Sequence, residues 1–369
     1  MTETSTPAID RIRERIRAAA ADKTLLSIRG GATKDFYGQP PQGEPLPTTE
    51  LNGIVSYEPS ELVVTVQAGT PLTELEAALA EKGQHLAFEP PRFGAASTIG
   101  GVVAAGLSGP SRASAGGLRD HVLGARLING RADHLTFGGQ VIKNVAGYDV
   151  SRVLAGSLGV FGMISEVSLK VLPVAPAEAT LVFDCSQADA LRMLNQWGGQ
   201  PLPLNASRWQ AVDGNEGRLW LRLRGAVAAV EAACARLGGT RHDAAEAAAD
   251  WQATRDLKLP WFEGRGDRDL WRLSVPQTAP VLAFDGAPLI EWHGGQRWYL
   301  AGERDGSRLR SAAAGAGGHA TLFVAANPTT ATLGRFDTLS APLARIHRAL
   351  INEFDPHAVF HRARLYPAD

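Results

Sequence analysis

Apolar residues recur at helical spacing from Ile9 to Ala21, which predicts an amphipathic helix at the start of the chain. The run Leu25-Leu26-Ser27-Ile28-Arg29 predicts a short buried strand delivering the chain into Gly30-Gly31-Ala32-Thr33-Lys34, and further strands are expected at 53–57 and 62–67. Thr70 as N-cap, Pro71 at the first helical position and Gly83 as a left-handed stop predict a helix over 71–82. A glycine-rich helix, an irregular loop and a strand pair around Asn129-Gly130 are expected between 101 and 139. Alternation from Ile164 to Leu172 predicts a strand that Pro173 stops.

Beyond Pro173 glycine thins out and regular alternation takes over. Strands are expected at 179–184, 208–212, 218–224 and 240–242, with helices at 187–197 and 227–237. That order, βαββαβ, is the ferredoxin-like signature. A strand at 321–325 and a helix at 342–353 belong to a tail expected to return to the first domain. The reading is therefore an α+β chain with a two-part cofactor domain over 1–176, a ferredoxin-like cap domain over 177–310 and a returning segment over 311–369.

Composition narrows the function classes. Lysine plus arginine number 37 against 38 acidic residues, a net charge of -1, with no sustained basic run, so nucleic acid is not expected as a partner. Cys185 and Cys234 stand alone, so neither a disulfide framework nor a four-thiolate zinc or iron-sulfur site is expected. The charged segment from Ile9 to Arg17 has no apolar core like that of a secretory signal. No apolar run reaches the ~20 residues of a membrane span. A cytoplasmic protein is expected, peripheral to the inner membrane only through a partner.

Glycine carries the candidate chemistry. Two loops, Gly30–Lys34 after a strand and Thr98-Ile99-Gly100-Gly101 leading through Ala104 to Gly106, offer backbone N–H groups to a pyrophosphate, the second also at a helix start. No Gly-Lys-Ser/Thr occurs, which excludes a Walker loop. Gly315-Ala316-Gly317-Gly318-His319-Ala320 satisfies the letters of a Rossmann fingerprint but precedes a strand.

Arg29-Gly30-Gly31-Ala32-Thr33, Ser97-Thr98-Ile99-Gly100-Gly101, the segment 143–149 and the segment 156–164 together resemble the FAD-binding domain of the vanillyl-alcohol oxidase and p-cresol methylhydroxylase superfamily. With Glu89-Pro90-Pro91, Gly106-Leu107-Ser108-Gly109-Pro110, Arg119-Asp120-His121 and Leu365-Tyr366, the chain is more narrowly similar to the FAD-binding subunits of bacterial glycolate oxidase (glycolate dehydrogenase). The resemblance implies FAD contacts from Arg29, Gly30, Gly31, Ala32, Thr33, Lys34, Pro91, Thr98, Ile99, Gly100, Gly101, Ala104 and Gly106. It also implies Asn144 and Tyr148 near the flavin and Gly162 and Ile164 along the adenine or ring edge. No histidine stands in either loop, so the FAD is expected to be non-covalent. The superfamily's Phe-Asn-Pro-Gly-Arg ending is replaced by Phe360-His361-Arg362-Ala363-Arg364, which separates position 361 from the expected flavin contact.

His319 is a candidate base or anion contact near the flavin, and Arg297 a candidate fork for a substrate carboxylate, against the alternative that the segment 292–298 is a hairpin packed under the cap. His357 and His361 share i,i+4 spacing but lack a third ligand, so no metal is expected. The resemblance implies oxidation of a small 2-hydroxy acid, with electrons passed to an iron-sulfur subunit beside a second FAD-containing subunit. The alternatives are a scaffold subunit carrying a structural flavin and an independent dehydrogenase of another hydroxy acid.

Overall fold

The computed structural model describes residues 6–139, 149–214, 216–327 and 334–366. Helix α1 (Pro7–Asp22) starts at the Thr6 hydroxyl, which accepts the Ile9 N–H, and buries Ile9, Ile12, Ile16 and Ala19. The short β1 (Leu26–Arg29) pairs in parallel with β2 (Glu44–Pro47), and the chain between them is the first glycine loop.

The main sheet of this half is built from β3 (Ile54–Glu58), β4 (Val63–Gln67), β6 (Val122–Ile128), β7 (His134–Gly138) and β8 (Met163–Lys170), in the order β3-β4-β8-β6-β7, with all pairs antiparallel. The chain from β4 to β6 passes through α2 (Leu72–Ala80), the two-residue β5 (Gln84–His85), α3 (Ile99–Ala105), and two single-turn helices, α4 (Arg112–Ala115) and α5 (Leu118–His121). A further turn, α6 (Val150–Val153), precedes β8, and β9 (Leu172–Pro173) pairs with β5. Leu72, Leu75 and Leu79 of α2 and Ile99 and Val103 of α3 pack with Val64, Leu127, Val167 and Leu169 into one apolar core.

Two local expectations change here. Thr70 does not cap α2: its hydroxyl accepts the Gly53 N–H at 2.9 Å, and the helix begins after Pro71 with no side-chain cap. The turn at Asn129 is longer than two residues, because its side-chain oxygen accepts the Arg131 and Asp133 N–H groups at 2.9 and 2.8 Å and organises the whole 129–133 connection.

The second sheet has eight strands. β10 (Ala177–Ser186), α7 (Gln187–Gly198), β11 (Leu204–Asp213), β12 (Glu216–Gly225), α8 (Val227–Leu237) and β13 (Thr240–Arg241) form the expected βαββαβ unit, with strand order β13-β10-β12-β11. After α9 (Ala244–Arg255) and α10 (Pro260–Glu263), the sheet continues through β15 (Leu289–Glu291), β16 (Gln296–Ala301), β14 (Asp269–Ser274) and β17 (His319–Val324). Helix α11 (Gly306–Gly315) leads into β17. β17 is the edge of the cap sheet, so the tail does not return to the first domain at residue 311 as expected. The return comes later, in α12 (Ala341–Phe354), whose Ile351 joins the first core, and in Val359, whose carbonyl accepts the Leu26 N–H at 2.7 Å.

Buried charges lock the two halves together. Glu89, which has a positive φ of 47°, accepts from Arg222 of β12 at 2.7 and 2.8 Å and from Arg224 at 3.3 Å. Burial pushes the Glu89 carboxyl up, but Arg222 and then Arg224 outweigh it and hold the group at about 2. Trp292 Nε1 donates to the Gly109 carbonyl across the same interface at 3.0 Å.

Glu89→Gln leaves two guanidinium groups facing a neutral amide, and we expect a loss of about 3 kcal/mol in urea unfolding at pH 7. Because the native carboxylate titrates below its unfolded value, this contribution is full above pH 4.5 and fades as pH falls toward 2. The gap between wild type and variant should therefore narrow in acid.

Candidate functional site

The first glycine loop exists because two backbones meet there without room for side chains. A Cβ on Gly31 would lie 1.5 Å from the Ala96 carbonyl oxygen, and one on Gly30 would lie 2.2 Å from Thr98 Oγ1. Pressed against the 96–98 segment in this way, the loop turns its amides outward. Among the described residues, none of the N–H groups of Gly30 through Lys34 donates to a protein acceptor. Five successive donors of this kind make an anion-binding concavity.

The second loop contributes chiefly shape, because three of the amides expected to be donors are spent within the protein. The Ile99 N–H bonds the Thr70 carbonyl at 2.9 Å, the Gly100 N–H bonds the Ala68 carbonyl at 2.7 Å, and the Gly101 N–H bonds Thr98 Oγ1 at 3.4 Å. The start of α3 is thus satisfied within the protein. Gly100, Gly101, Ala104 and Ala105 instead supply a low wall for a cleft of about 920 Å³.

Of the expected cofactor residues, Arg29, Gly30, Gly31, Ala32, Thr33, Lys34, Thr98, Gly100, Gly101, Ala104, Gly162 and Ile164 line this cleft. Ile99 points into the core, fully buried. Gly106 ends α3 at φ +63°, packed against the backbone of Gly156, and Pro91 lines a separate cavity between the domains. Asn144 and Tyr148 lie outside the described residues.

Several lining residues were not anticipated, among them Ser27, Thr48, Leu158 and Gly159, and position 361 does reach the cleft. Asp355, fully buried, gathers the N–H groups of Val359 and Phe360 at 2.9 and 3.0 Å and so aims Phe360, His361 and Arg364 at the cleft. Arg364 binds the carbonyls of Gln39 and Tyr37, which tie the C-terminal segment to the first loop.

Lys34 is the buried lysine among the cations of the cleft, which also include Arg29 and Arg364. Its ammonium donates to Ser97 Oγ at 2.6 Å and Thr33 Oγ1 at 3.3 Å, has no carboxylate partner among the described residues, and is lowered by burial to about 8. The outward amides, the pared-down helix wall and a buried cation without a counter-charge together fit a dinucleotide pyrophosphate.

The two catalytic candidates are elsewhere. Arg297 is fully buried in the cap and spends its guanidinium on the carbonyls of Ala279, Pro280 and Gly294, so it has no fork left for a substrate. His319 is solvent-exposed at the start of the edge strand β17, opposite Ser274, and lines neither cavity. Arg112 and Asp120 pin the irregular loop: Arg112 stacks on Trp292 and Asp120 accepts the Gly117 N–H.

Sequence reasoning missed a small second pocket between the domains, open to solvent and lined by Ser108, Arg255, Arg272, Glu291, Gln296 and Trp298, among others. The Glu291 carboxyl is buried and pushed up to about 7 by that burial, against the hydrogen bonds from Trp298 and Gln296 and the charge of Arg208.

Residues 8–152 match the family model described as an FAD binding domain. The chain is 42% identical over 353 residues to the glycolate oxidase subunit GlcE of Escherichia coli, covering 96% of each chain. It belongs to the GlcE family of glycolate oxidase subunits. FAD is accordingly its cofactor, and its class is that of FAD-linked oxidoreductases acting on CH–OH groups. The chain is also 31% identical to the glycolate oxidase subunit GlcD of Bacillus subtilis over 38% of this chain and 30% of that protein. A solved structure of alkyldihydroxyacetonephosphate synthase has the same fold, with a TM-score of 0.64 at 15% identity over 95% of this chain and 73% of that one.

Gly101 lines the cleft, and a Cβ there meets only Thr98 Oγ1, at 3.3 Å. Gly101→Val should therefore fold with little change in Tm yet bind FAD on the order of tenfold more weakly, the factor that ~1.4 kcal/mol of lost contact produces, read by flavin fluorescence titration. Glu291 gives a separate pH signature. Its folded-state pKa lies above the unfolded one, so the native state holds the extra proton and stability falls as pH rises from 4.5 through 7. Glu291→Gln should remove up to about 3 kcal/mol of that slope in a pH series of denaturant melts.

Proposed function

We propose that this chain is the FAD-carrying subunit of a complex that oxidises glycolate to glyoxylate and passes the electrons to an iron-sulfur partner, beside a second flavoprotein subunit. The match to GlcE along 96% of both chains carries this reading, and the cleft supplies its physical basis. Bound FAD supplies a two-electron acceptor for a carbinol C–H bond. The protein's part is to hold it: the amides of 30–34 and the Lys34 ammonium neutralise the pyrophosphate, and the small residues of α3 let the cofactor lie close. Phe36 packs edge to face on Phe93 and tilted on Phe323, a ring cluster next in sequence to the loop. The FAD is held without a covalent bond.

Electrons must leave through another chain. Two isolated cysteines, Cys185 and Cys234, cannot ligate a four-thiolate cluster. No helix among the described residues is long and apolar enough to cross a membrane, so any membrane contact is made through the assembly.

Purified chain titrated with FAD should acquire bound-flavin absorption that denaturation releases completely. Tagged chain expressed with its native neighbours should co-purify with a flavoprotein and an iron-sulfur protein, and glycolate should bleach the flavin of that assembly. A chain that takes up no FAD, or an assembly whose flavins stay oxidised with glycolate, defeats the reading.

A further inference from the structure

The C-terminal segment holds one imidazole in a fixed attitude against the cofactor cleft. Asp355, buried just after α12, accepts the N–H groups of Val359 and Phe360 and pairs with Arg362 at 3.4 Å. The Val359 carbonyl takes the Leu26 N–H, Phe360 bridges Leu26 in parallel, and Arg364 donates to the carbonyls of Tyr37 and Gln39. His361 therefore sits between anchored residues on both sides, and its backbone is set before its side chain is considered.

The ring is anchored as well. The Gln42 N–H donates to Nδ1 at 3.3 Å. Burial, and then the charge of Arg364, pull the imidazole below its ordinary value, so it is neutral at pH 7. A neutral imidazole carries one proton, and a ring nitrogen that accepts from a backbone amide cannot hold it. The proton is therefore on Nε2.

That Nε2 has no acceptor among the described residues, yet it is not sealed inside the protein. The residue is only 8% exposed and lines the cleft, so the cleft is where this N–H meets open space. The amides of 30–34 and the Lys34 ammonium answer negative charge, which any anion supplies. A neutral N–H held through Asp355, Arg364 and Gln42 answers an acceptor at one position only, and so contributes orientation.

We propose that His361 is a cofactor-positioning residue: its Nε2–H donates to an acceptor atom of the bound FAD, and the Gln42 amide keeps the proton on that nitrogen. The proposal rests on the reading of this chain as an FAD-carrying subunit and deepens it, by giving the C-terminal segment a part in holding the cofactor.

The test pairs two substitutions that divide the two functions of the ring. His361→Asn places an oxygen where Nδ1 lies and still accepts from Gln42, but leaves nothing at the position of Nε2. His361→Gln carries an amide nitrogen to the position of Nε2 and gives up the Nδ1 acceptor. The full chain, freed of flavin, is titrated with FAD and followed by flavin fluorescence, with Tm as the control for folding. His361→Asn should bind FAD on the order of tenfold more weakly at unchanged Tm, the effect of one lost hydrogen bond, and His361→Gln should recover most of that loss. In wild type carrying isotope-labelled histidine, the NMR signals of the His361 ring, identified by their absence from either variant, should be those of the Nε2–H form, and Nε2 should shift on saturation with FAD. Wild-type affinity in His361→Asn, an equal loss in both variants, or a His361 ring that is protonated on Nδ1 or unmoved by FAD overturns the proposal and leaves FAD as the cofactor. A wild-type chain that takes up no FAD defeats the functional reading and the proposal with it. Should His361→Asn fail to fold, the ring signals of wild type, identified through His361→Gln, decide alone.

Discussion

The structure depends on one close approach, that of the 30–31 backbone against the 96–98 segment. Any side chain at position 31 would occupy the space of the Ala96 carbonyl, so the two loops can meet only if the first is glycine. Their meeting turns the donors of Gly30 through Lys34 away from the protein. The rest of the domain braces that contact. Thr48 N–H holds the Arg29 carbonyl at 2.9 Å, Asp35 pairs with Arg29, and Arg364 reaches from the far end of the chain to the carbonyls just beyond the loop. A loop with so many free donors has few hydrogen bonds of its own, such as Tyr37 N–H to the Lys34 carbonyl, and its neighbours help it keep its shape.

The cap is oriented by a different device. Glu89 with Arg222 and Arg224, and Glu76 with Arg255, cross the interface as partly or fully buried ion pairs. Such pairs add little net stability compared with apolar contacts, but they are directional, and a misaligned interface leaves charges stranded. The geometry of the cavity between Ser108 and Arg272 is therefore set by the same charges that join the halves. The left-handed backbone at Glu89 and at Trp292 and His293 falls on this interface as well, as expected where tertiary contacts override local preference.

The features legible in the sequence are those encoded locally. Glycine spacing marked the first loop, and periodicity marked each element of the βαββαβ unit, its two helices within a residue and its long strands short at their ends. What escaped was decided by distant partners. The amides at the start of α3 read as free donors, yet the carbonyls of Ala68 and Thr70, some thirty residues earlier, had already taken them. Arg297 was open to two readings, a substrate fork or part of a packed hairpin, because two of its carbonyl acceptors, Ala279 and Pro280, belong to a loop with no pattern of its own. Arg272 and Glu291 gave no signal at all, because only the order β15-β16-β14 brings them to one wall. His361 reaches the cleft despite its altered motif, because Asp355 sets the turn before it through backbone N–H groups that do not depend on the residue at 361.

Charge accounting singles out the cofactor cleft. Arg208, Arg222, Arg255 and Arg310 each face a carboxylate, whereas Lys34 and Arg272 do not. Leaving a cation partly desolvated and unmatched costs the folded chain several kcal/mol in the limiting case, and burial already pulls the Lys34 ammonium down to about 8. That cost is removed when an anion arrives. Arg297 also lacks a carboxylate partner among the described residues but is spent on carbonyls, so Lys34 is set apart by its place in the cleft beside the outward amides. The pyrophosphate of a dinucleotide brings its negative charge to this cation and to those amides. Ligand binding and folding are thereby linked in this chain, since each bound anion stabilises the native state in proportion to the logarithm of its saturation.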